Sequence, residues 1–377
     1  MRKKVWYRIE QWFKQKKLRF LQKSLELVPV GSDSIEKEVI KRILVVRQHD
    51  QLGDFLLSTP VFRALKARFP SVAIVLVVRN YTASLARFNP YIDEVIPFYE
   101  HGRDWTLRKL IIFVRRLRSG FDLAVVLNTV SHSLTSDLIA RMSGAKYILG
   151  SEHKKFAGTQ RNFCYNLIAR YRSDKRHQTE RNLDIVRFVG ADTADTSELV
   201  TVTEHERLWA MNYFKSLGRE ESRPLVAIHP GAGKHGNRWA VENFAGVGRE
   251  LVRTNGVQLF VTWGPREGDL GQTLLSLLEP PVLSATHSDL RKVAALLCQA
   301  QLFLCNDTGV MHLAASVGTP LVAIFGPTDP DLWKPLGEKF MAIRGEDHTC
   351  DTVTQEQVLK CAYDALRMFS VKMPRKH

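Results

Sequence analysis

The sequence contains no apolar run close to the roughly 20 residues that cross a bilayer. Its first residues lack the apolar stretch and small-residue cleavage site of a secretory signal. The five cysteines are scattered, odd in number and free of CxxC spacing. These absences disfavour a membrane-spanning protein, a disulfide framework and a zinc site. We therefore expect a protein of the reducing cytoplasm.

Two nucleotide-binding fingerprints are also missing. The sequence has no GxxxxGK[ST] motif, which excludes a Walker A loop. The glycines at 231, 233 and 236 match GxGxxG spacing but lack the acidic ribose partner, and the first βα turn has no nicotinamide fingerprint, which disfavours a dehydrogenase. No cluster of His, Asp and Glu predicts a metal site. The triplet Asp329-Pro330-Asp331 is typical of a turn rather than of a metal-binding DxD motif.

Positive charge is abundant and unevenly spread. The formal net charge is +15 over 377 residues, a length that allows two domains. Residues 1–25 hold nine Lys/Arg and one Glu, with apolar residues mostly at three- or four-residue spacing. Such a basic amphipathic segment suits an anionic membrane surface, although a solvated helix packed on its own domain is the alternative. No nucleic-acid-binding module is recognisable, so nucleic acid is not an expected partner.

Continuous Val/Ile/Leu runs alternate with helical segments, which is typical of parallel sheets covered on both faces. Strands are predicted at Ile43–Val46, Ala73–Val78, Glu94–Ile96, Leu123–Leu127, Leu225–Ile228, Val257–Thr262, Val282–Leu283, Leu302–Cys305 and Leu321–Ile324. Because the pattern restarts after Ser222-Arg223-Pro224, we predict two doubly wound α/β domains. The predicted divisions are an N-terminal extension (1–40), a first domain (41–195), a hinge (196–223), a second domain (224–350), and a C-terminal helix with a basic tail (351–377).

The loop after the first predicted strand carries two carboxylates, Asp50 and Asp54, with Gly53 between them. Asp54 precedes a helix predicted at Phe55–Arg68. Its carboxylate either caps that helix or acts as a general base at the carboxyl end of the strand. Asp50 either braces Arg47 or positions Asp54.

The loop at 229–239 has the composition of a phosphate or diphosphate cradle. Gly231 and Gly233 let the backbone approach a ligand closely, while Lys234 and Arg238 add positive charge. A flexible surface loop is the alternative. After the next predicted strand, Glu267 is a candidate acceptor of hydrogen bonds from ribose hydroxyls.

A third loop joins the apolar run at 301–305 to a helix predicted at Val310–Val317. Gly309 permits a tight turn, Thr308 offers a hydroxyl, and the first helical amides point at a ligand, so the loop is a candidate anion site. An ordinary turn capped by Asp307 is the alternative.

Together these loops resemble glycosyltransferase family 9, the ADP-heptose:lipopolysaccharide heptosyltransferases. The resemblance rests on three stretches: Gln51-Leu52-Gly53-Asp54; His229-Pro230-Gly231-Ala232 through Arg238-Trp239; and Asp307-Thr308-Gly309 with His312-Leu313-Ala314-Ala315 and Phe325-Gly326-Pro327-Thr328. It implies a GT-B-like fold, with two Rossmann-like domains facing a central cleft, the acceptor on the N-terminal side and the nucleotide sugar on the C-terminal side. It also implies inverting transfer without a metal or other cofactor.

The resemblance implies a role for each motif residue. The catalytic base is Asp54. The donor-binding residues are Gly231, Gly233, Lys234, Arg238, Glu267, Asp307, Thr308, Gly309 and His312. Acceptor-binding residues are Gly53 and Asp50, joined by Lys154 and Lys155 from the segment 141–187, which holds eleven basic and four acidic residues. Where the family usually has a Lys before the Arg-Trp pair, this chain has Asn237.

The predicted function is heptosyl transfer from ADP-heptose onto a lipopolysaccharide core or related glycan. The expected location is the cytoplasm, with residues 1–25 on the inner face of the cytoplasmic membrane. Another nucleotide-sugar enzyme such as an epimerase, and a non-catalytic nucleotide-sugar-binding protein, are the alternatives.

Overall fold

The computed structural model describes residues 22–369 except 37, 38, 50, 154, 157, 158, 160 and 280. Asp50, Lys154, most of the basic segment 1–25 and the tail 370–377 lie outside these ranges, so what was predicted for them stays a prediction. By their contacts, the described residues form two compact units. The first unit contains the described residues within 1–50, 60–83 and 90–195. The second unit contains the described residues within 51–59, 84–89 and 196–377. The domain boundaries proposed from the sequence likewise stay predictions.

The first unit is built on a six-stranded parallel sheet. Its strands are β1 (Arg42–Arg47), β2 (Ala73–Arg79), β3 (Glu94–Phe98), β4 (Leu123–Val126), β5 (Tyr147–Ser151) and β6 (Leu167–Ala169). They lie in the order β3-β2-β1-β4-β5-β6. The central strands are buried along their length, as expected for continuous aliphatic runs covered on both faces.

Helices connect these strands. They are α1 (Asp33–Glu36), α2 (Leu52–Leu56), α3 (Thr59–Arg68), α4 (Asn80–Ala86), α5 (Leu107–Leu117), α6 (Leu134–Met142) and α7 (Gln178–Arg187). The helix predicted at Phe55–Arg68 is therefore two helices, and Asp54 lies inside the first one instead of before it. The sequence of α2 is too short and too glycine-bearing to have been separated from α3 by periodicity.

The second unit repeats the arrangement. Its strands are β7 (Leu225–His229), β8 (Gln258–Val261), β9 (Val282–Ser284), β10 (Leu302–Asn306), β11 (Leu321–Phe325) and β12 (Phe340–Arg344). They are parallel and lie in the order β12-β11-β10-β7-β8-β9. The helices that follow the first unit are α8 (Glu204–Ser216), α9 (Val241–Asn255), α10 (Gly268–Leu277), α11 (Leu290–Leu297), α12 (Gly309–Ser316), α13 (Pro330–Trp333) and α14 (Gln355–Phe369).

Each sheet has one place where the chain reverses its direction of travel across the sheet. In the second sheet this place lies between β7 and β10, whose residues Ile228 and Leu304 are register partners. Loops that leave two such strands diverge and open a crevice at the carboxyl ends, where doubly wound proteins bind ligands. The fold thus places the loops after β7 and β10 side by side.

The core of the second unit fixes the end of the β7 loop. Trp239 is 1% exposed, lies edge-on to Phe244 at 5.0 Å between ring centroids, and donates its indole N–H to the Val353 carbonyl at 2.9 Å. Helix α14 packs into the same core through Val358 and Ala362. No helix within the described ranges combines the length and the hydropathy of a bilayer-spanning segment.

Candidate functional site in the second unit

The glycine-rich loop runs from Pro230 to Trp239 and includes a 3₁₀ turn at His235–Asn237. Gly231 packs closely against Glu267, because a Cβ at this position would displace the carboxyl group of that side chain. Gly233 differs, since nothing lies within 4 Å of the position of its missing Cβ. Gly231 therefore lies where the loop packs against Glu267, while Gly233 faces open space beside Lys234.

Glu267 reaches the loop from the end of β8. Its Oε2 accepts the amide N–H of Gly264 at 2.9 Å and lies 3.4 Å from His229 Nε2. His229 shares its Nδ1 proton with the Thr262 carbonyl at 3.0 Å, and burial lowers the pKa of this histidine although Glu267 opposes the shift. Glu267 is therefore held in one orientation against the glycine loop.

Asn306, the last residue of β10, forms hydrogen bonds to both ends of the glycine-rich loop. No role was predicted for it from the sequence. The side chain is fully buried. Its Nδ2 donates to the Pro230 carbonyl at 2.8 Å, and its Oδ1 accepts the Trp239 amide N–H at 3.0 Å. An amide suits this position because it is the side chain that donates and accepts at once without a charge.

Asp307 is hydrogen-bonded by Asn237, the residue found in place of the family's lysine. Asn237 Nδ2 donates to Asp307 Oδ2 at 2.8 Å and to Thr328 Oγ1 at 3.3 Å. Burial raises the pKa of Asp307, while Thr328, His312 and Lys234 act in the opposite direction. Lys234 is therefore close enough to act electrostatically on this carboxylate, although its own side chain is exposed.

Helix α12 begins at Gly309, directly after Thr308 in extended conformation. The first amides of a helix have no acceptor within it, and the helix dipole adds partial positive charge at the same end. A Cβ on Gly309 would lie 3.1 Å from Leu52 Cβ, so α2 approaches this end of α12 closely. The candidate anion site predicted from Thr308 and Gly309 therefore lies beside the helix that carries Asp54.

Asp54 occupies the first turn of α2, where its Oδ2 accepts the Gln51 amide N–H at 3.0 Å. The neighbouring Gly53 faces His312, since a Cβ would lie 2.7 Å from His312 Cδ2. Gly53 is thus needed for the contact between α2 and α12, and its predicted acceptor role stays a prediction. The structure brings Asp54, the glycine loop, Glu267 and the start of α12 together within the second unit.

His312 and Glu198 form a buried pair. His312 Nδ1 lies 2.8 Å from Glu198 Oε1, and the two side chains are 5% and 2% exposed. Burial disfavours the imidazolium, but Glu198, Asp307 and Asp54 outweigh it, so the pKa of His312 is raised. Glu198 was not predicted as a site residue, because no motif lies next to it in the sequence.

Arg238 folds back on its own loop, donating from Nε to the Ala232 carbonyl at 3.0 Å. Lys155, predicted to bind the acceptor, belongs to the first unit. The triplet Asp329-Pro330-Asp331, predicted as a turn, instead begins a short helix, because Asp329 caps α13 by accepting the Asp331 amide N–H at 3.1 Å. In the part of the chain that the structure describes, no group of three or more His, Cys, Asp or Glu side chains is arranged to hold a metal.

The first unit contains a basic pocket at the ends of β5 and β6. It is lined by Thr129, Ser151, Arg170, Tyr171, Arg172, Arg181, Asp184 and Ile185. Tyr171 stacks on His153 at 4.0 Å and carries the Arg181 guanidinium at 5.0 Å from its ring centroid. Arg170 and Arg172 are exposed and form no ion pair with a described residue, whereas Asp184 is already paired with Arg176 and Arg187. We call Arg170, Arg172 and Arg181 around Tyr171 the arginine pocket.

A second polar cluster in the first unit is buried and was not predicted. His132 Nε2 lies 2.8 Å from Asp137 Oδ2, and the Tyr165 hydroxyl donates to the same carboxyl group. Gln48, which follows β1, donates to Ser136 Oγ at 3.0 Å. Because the His132 and Asp137 side chains are 3% and 1% exposed, the cluster holds loops in place rather than facing a ligand.

The model of glycosyltransferase family 9 (heptosyltransferase) matches residues 111–363, which is more than half of the chain. The chain belongs to glycosyltransferase family 9. This confirms the predicted family, and the protein is a glycosyltransferase of the heptosyltransferase family.

Individual relatives agree with this assignment. This glycosyltransferase is 28% identical over 314 residues to lipopolysaccharide heptosyltransferase 2 of Escherichia coli K12, covering 78% of this chain and 85% of the relative. The structure of a family 9 glycosyl transferase from Veillonella parvula is similar with a TM-score of 0.76 at 24% identity, over 87% of this chain and 97% of the other. E. coli ADP-heptose lps heptosyltransferase II gives a TM-score of 0.70 at 23% identity, over 88% and 100%. The GT-B-like fold class, with its two parallel six-stranded sheets, is thereby confirmed.

We expect Glu198→Gln to lower the pKa of His312, because it removes the negative charge 2.8 Å from Nδ1 and keeps the shape of the side chain. NMR titration of the His312 imidazole measures the change. An unchanged His312 curve would show that Glu198 does not control this histidine.

The same pair should make stability depend on pH. A histidine whose pKa is raised by folding stabilises the folded protein fully below its ordinary pKa of 6.5, and this contribution is lost as pH rises through the folded-state value. The Tm of the native protein should therefore exceed that of Glu198→Gln most near pH 6. Thermal unfolding from about pH 6 to pH 9 should show the difference shrinking; a difference that grows with pH would contradict the assignment.

Proposed function

We propose that this enzyme transfers heptose from ADP-heptose to a lipopolysaccharide core or related acceptor, with inversion at the anomeric carbon and without a metal. One observation supports this most directly. A glycine loop, the start of α12 and the carboxylate of Asp54 meet in one unit, beside the crevice between β7 and β10. That combination provides an anion site and a base next to each other. The names of the E. coli relatives supply the donor and acceptor classes.

The diphosphate of the donor binds the amides of Thr308, Gly309 and Val310 at the start of α12. Partial positive charge from the helix dipole favours the anion there. Lys234, whose charge already acts on Asp307, and Arg238 add full charges from the glycine loop. As the bond to the leaving phosphate breaks, negative charge grows on its oxygens, and these donors stabilise it.

Glu267 binds the ribose of the nucleotide. Its Oε2 is occupied by the Gly264 amide, while its Oε1 accepts no hydrogen bond from another described residue. A carboxylate fixed against Gly231 offers this second oxygen to hydroxyl donors at a defined place. A larger residue at position 231 would displace this carboxylate, so the close packing at Gly231 is part of the proposed nucleotide recognition.

Asp54 acts as the general base. Its carboxylate takes the proton of the acceptor hydroxyl while that oxygen bonds to the anomeric carbon. The bond between the anomeric carbon and the phosphate oxygen breaks at the same time, and its electron pair leaves with ADP. His312 lies beside α2 and, as an imidazolium, balances the carboxylates of Asp54 and Asp307 before the donor binds.

The acceptor is held through its acidic groups by basic residues of the first unit. The predicted contacts are Lys154 and Lys155, and the arginine pocket adds the exposed guanidinium groups of Arg170 and Arg172, whereas Arg181 already donates to the Arg172 and Asp174 carbonyls. Guanidinium forks suit phosphate and carboxylate groups because they donate two parallel hydrogen bonds. Residues 1–25 hold the enzyme on the anionic inner face of the cytoplasmic membrane.

Asp54→Asn should lower kcat by about 10²–10⁴-fold, because the amide keeps the shape and cannot accept the proton. Transfer is measured with ADP-heptose and a truncated lipopolysaccharide acceptor. Asp364→Asn is the control, since that carboxylate lies on α14 and only pairs with exposed Arg367. Near-native turnover of Asp54→Asn would refute the assignment of the base.

Lys234→Ala should weaken donor binding, with about 1.5–3 kcal/mol for a lost charged contact. Lys339→Ala removes an exposed lysine elsewhere in the second unit and should leave the donor KM unchanged. Turnover should persist in EDTA. Loss of activity in EDTA with recovery on adding a divalent cation would contradict the metal-free mechanism.

The double variant Arg170→Glu/Arg172→Glu should raise the KM for an anionic acceptor by about tenfold or more at low ionic strength, and the effect should shrink as salt screens the charges. The donor KM should not change. Lys339→Glu/Lys360→Glu alters the net charge equally on exposed sites of the second unit and serves as the control. If both double variants behave alike, the arginine pocket is only a solvated surface.

A further inference from the structure

Helix α5 presents four large aliphatic side chains to solvent. The exposed fractions are 75% for Leu107, 47% for Leu110, 58% for Ile111 and 45% for Ile112. Only Phe113 and Leu117 of this helix are buried. Single exposed aliphatic residues are ordinary, but a group of four on three turns of one helix marks a surface that binds something.

Three of these side chains form one strip, and Ile112 lies about 100° around the helix from Ile111, beyond Arg108 and Arg115. Leu107 and Ile111 are four residues apart and Leu110 is three residues from Leu107, so they are neighbours on one face of the helix. The buried residues Phe113 and Leu117 are four residues apart on the adjoining face, which begins beside Leu110. The helix therefore uses one face for the core of the first unit and leaves a second apolar face uncovered by the described residues.

The strip is bordered by positive charge. Arg103, Arg108, Arg115 and Arg118 are exposed, and none of them forms an ion pair with a described residue. The other two basic residues of α5 are already engaged. Lys109 lies 4.0 Å from the Tyr99 ring centroid, and Arg116 Nε lies 2.6 Å from Glu94 Oε1.

The helix that carries the strip is fixed to the first unit by aromatic packing and hydrogen bonds. Phe113 lies edge-on to Trp105 at 5.2 Å and to Phe98 at 6.0 Å between ring centroids. The Trp105 indole donates to the Tyr99 carbonyl at 2.7 Å, and the Thr106 hydroxyl caps the helix by accepting the Lys109 amide N–H at 3.2 Å. The exposure of the aliphatic side chains is therefore a property of the folded unit and not of a loose helix end.

We propose that this α5 surface, Leu107, Leu110, Ile111 and Ile112 with the four bordering arginines, docks onto an anionic lipid bilayer. A bilayer interface buries the aliphatic side chains and attracts the guanidinium groups at once, as for helices that lie in the membrane plane. Each arginine near an anionic surface adds to this attraction. A protein partner would need an apolar groove ringed by carboxylates, whereas an anionic bilayer supplies both features over its whole area.

The α5 surface is distinct from residues 1–25, for which membrane binding was proposed from charge alone. Stable attachment generally takes two weak signals, and the effects multiply when both act on one molecule. The proposal concerns where the enzyme is held and not its chemistry, so it does not depend on which sugar is transferred.

The test is co-sedimentation of the full-length protein with vesicles of phosphatidylethanolamine and phosphatidylglycerol. Leu107→Gln/Ile111→Gln should lower the partition coefficient about tenfold or more, given the apolar area withdrawn from the bilayer. Arg108→Glu/Arg115→Glu should do the same and make binding less sensitive to added salt than that of the native protein. Vesicles of phosphatidylcholine alone should bind the native protein more weakly than the anionic vesicles.

The matched control is Leu208→Gln/Met211→Gln, which changes two side chains of α8 that are 50% and 51% exposed. This variant should bind vesicles within about twofold of the native protein. Transfer to a soluble, delipidated acceptor should be native in all three double variants, which reports folding and separates this proposal from the proposed reaction. If the α5 variants sediment like the control, the proposal fails. It also fails if they convert an oligomer to a monomer in light scattering without changing vesicle binding, since the surface would then bind protein.

Discussion

The proposed donor site depends on one buried amide. Asn306 holds the carboxyl end of β10 against both the beginning and the end of the glycine loop, through Pro230 and Trp239. Without these bonds, two backbone groups of the loop would be buried and unpaired, which costs about 1–3 kcal/mol each. The loop is further anchored where Trp239 enters the core and bonds to Val353. The positions of Gly231, Lys234 and Asn237 follow from these two fixed points.

The charges of the site oppose one another before any ligand is bound. The negative charges of Glu198, Asp307 and Asp54 all raise the pKa of His312. A diphosphate entering beside α12 brings further negative charge to a place that already holds carboxylates. In the proposed site, His312 and Lys234 oppose the charge of these carboxylates, and the helix amides bind the diphosphate. The close contact through Gly53 and Gly309 couples the predicted base to this balance, because it brings α2 to the start of α12.

The sequence predicted the parts of the fold and site that are local. Continuous apolar runs predicted β7 and β10, and the residue types after them predicted the glycine loop and Thr308-Gly309. The strands β5, β6 and β12 were not predicted, because β5 contains a glycine and a serine, β6 has three residues and β12 is only half-buried. Asn306, Asn237 and Glu198 were missed for another reason. Their partners lie 67, 70 and 114 residues away along the chain, so only the folded topology brings them together.

Asn237 shows how this chain departs from its family without losing the architecture of the site. An amide at this position can bridge Asp307 and Thr328, as a lysine could, but it brings no charge. Asp307 therefore remains a buried carboxylate with a neutral neighbour, and burial raises its pKa. Lys234 stands three residues earlier, at the start of the 3₁₀ turn that ends in Asn237. A positive charge here is exposed until a diphosphate covers it, so it contributes more to ligand binding than to the stability of the empty site.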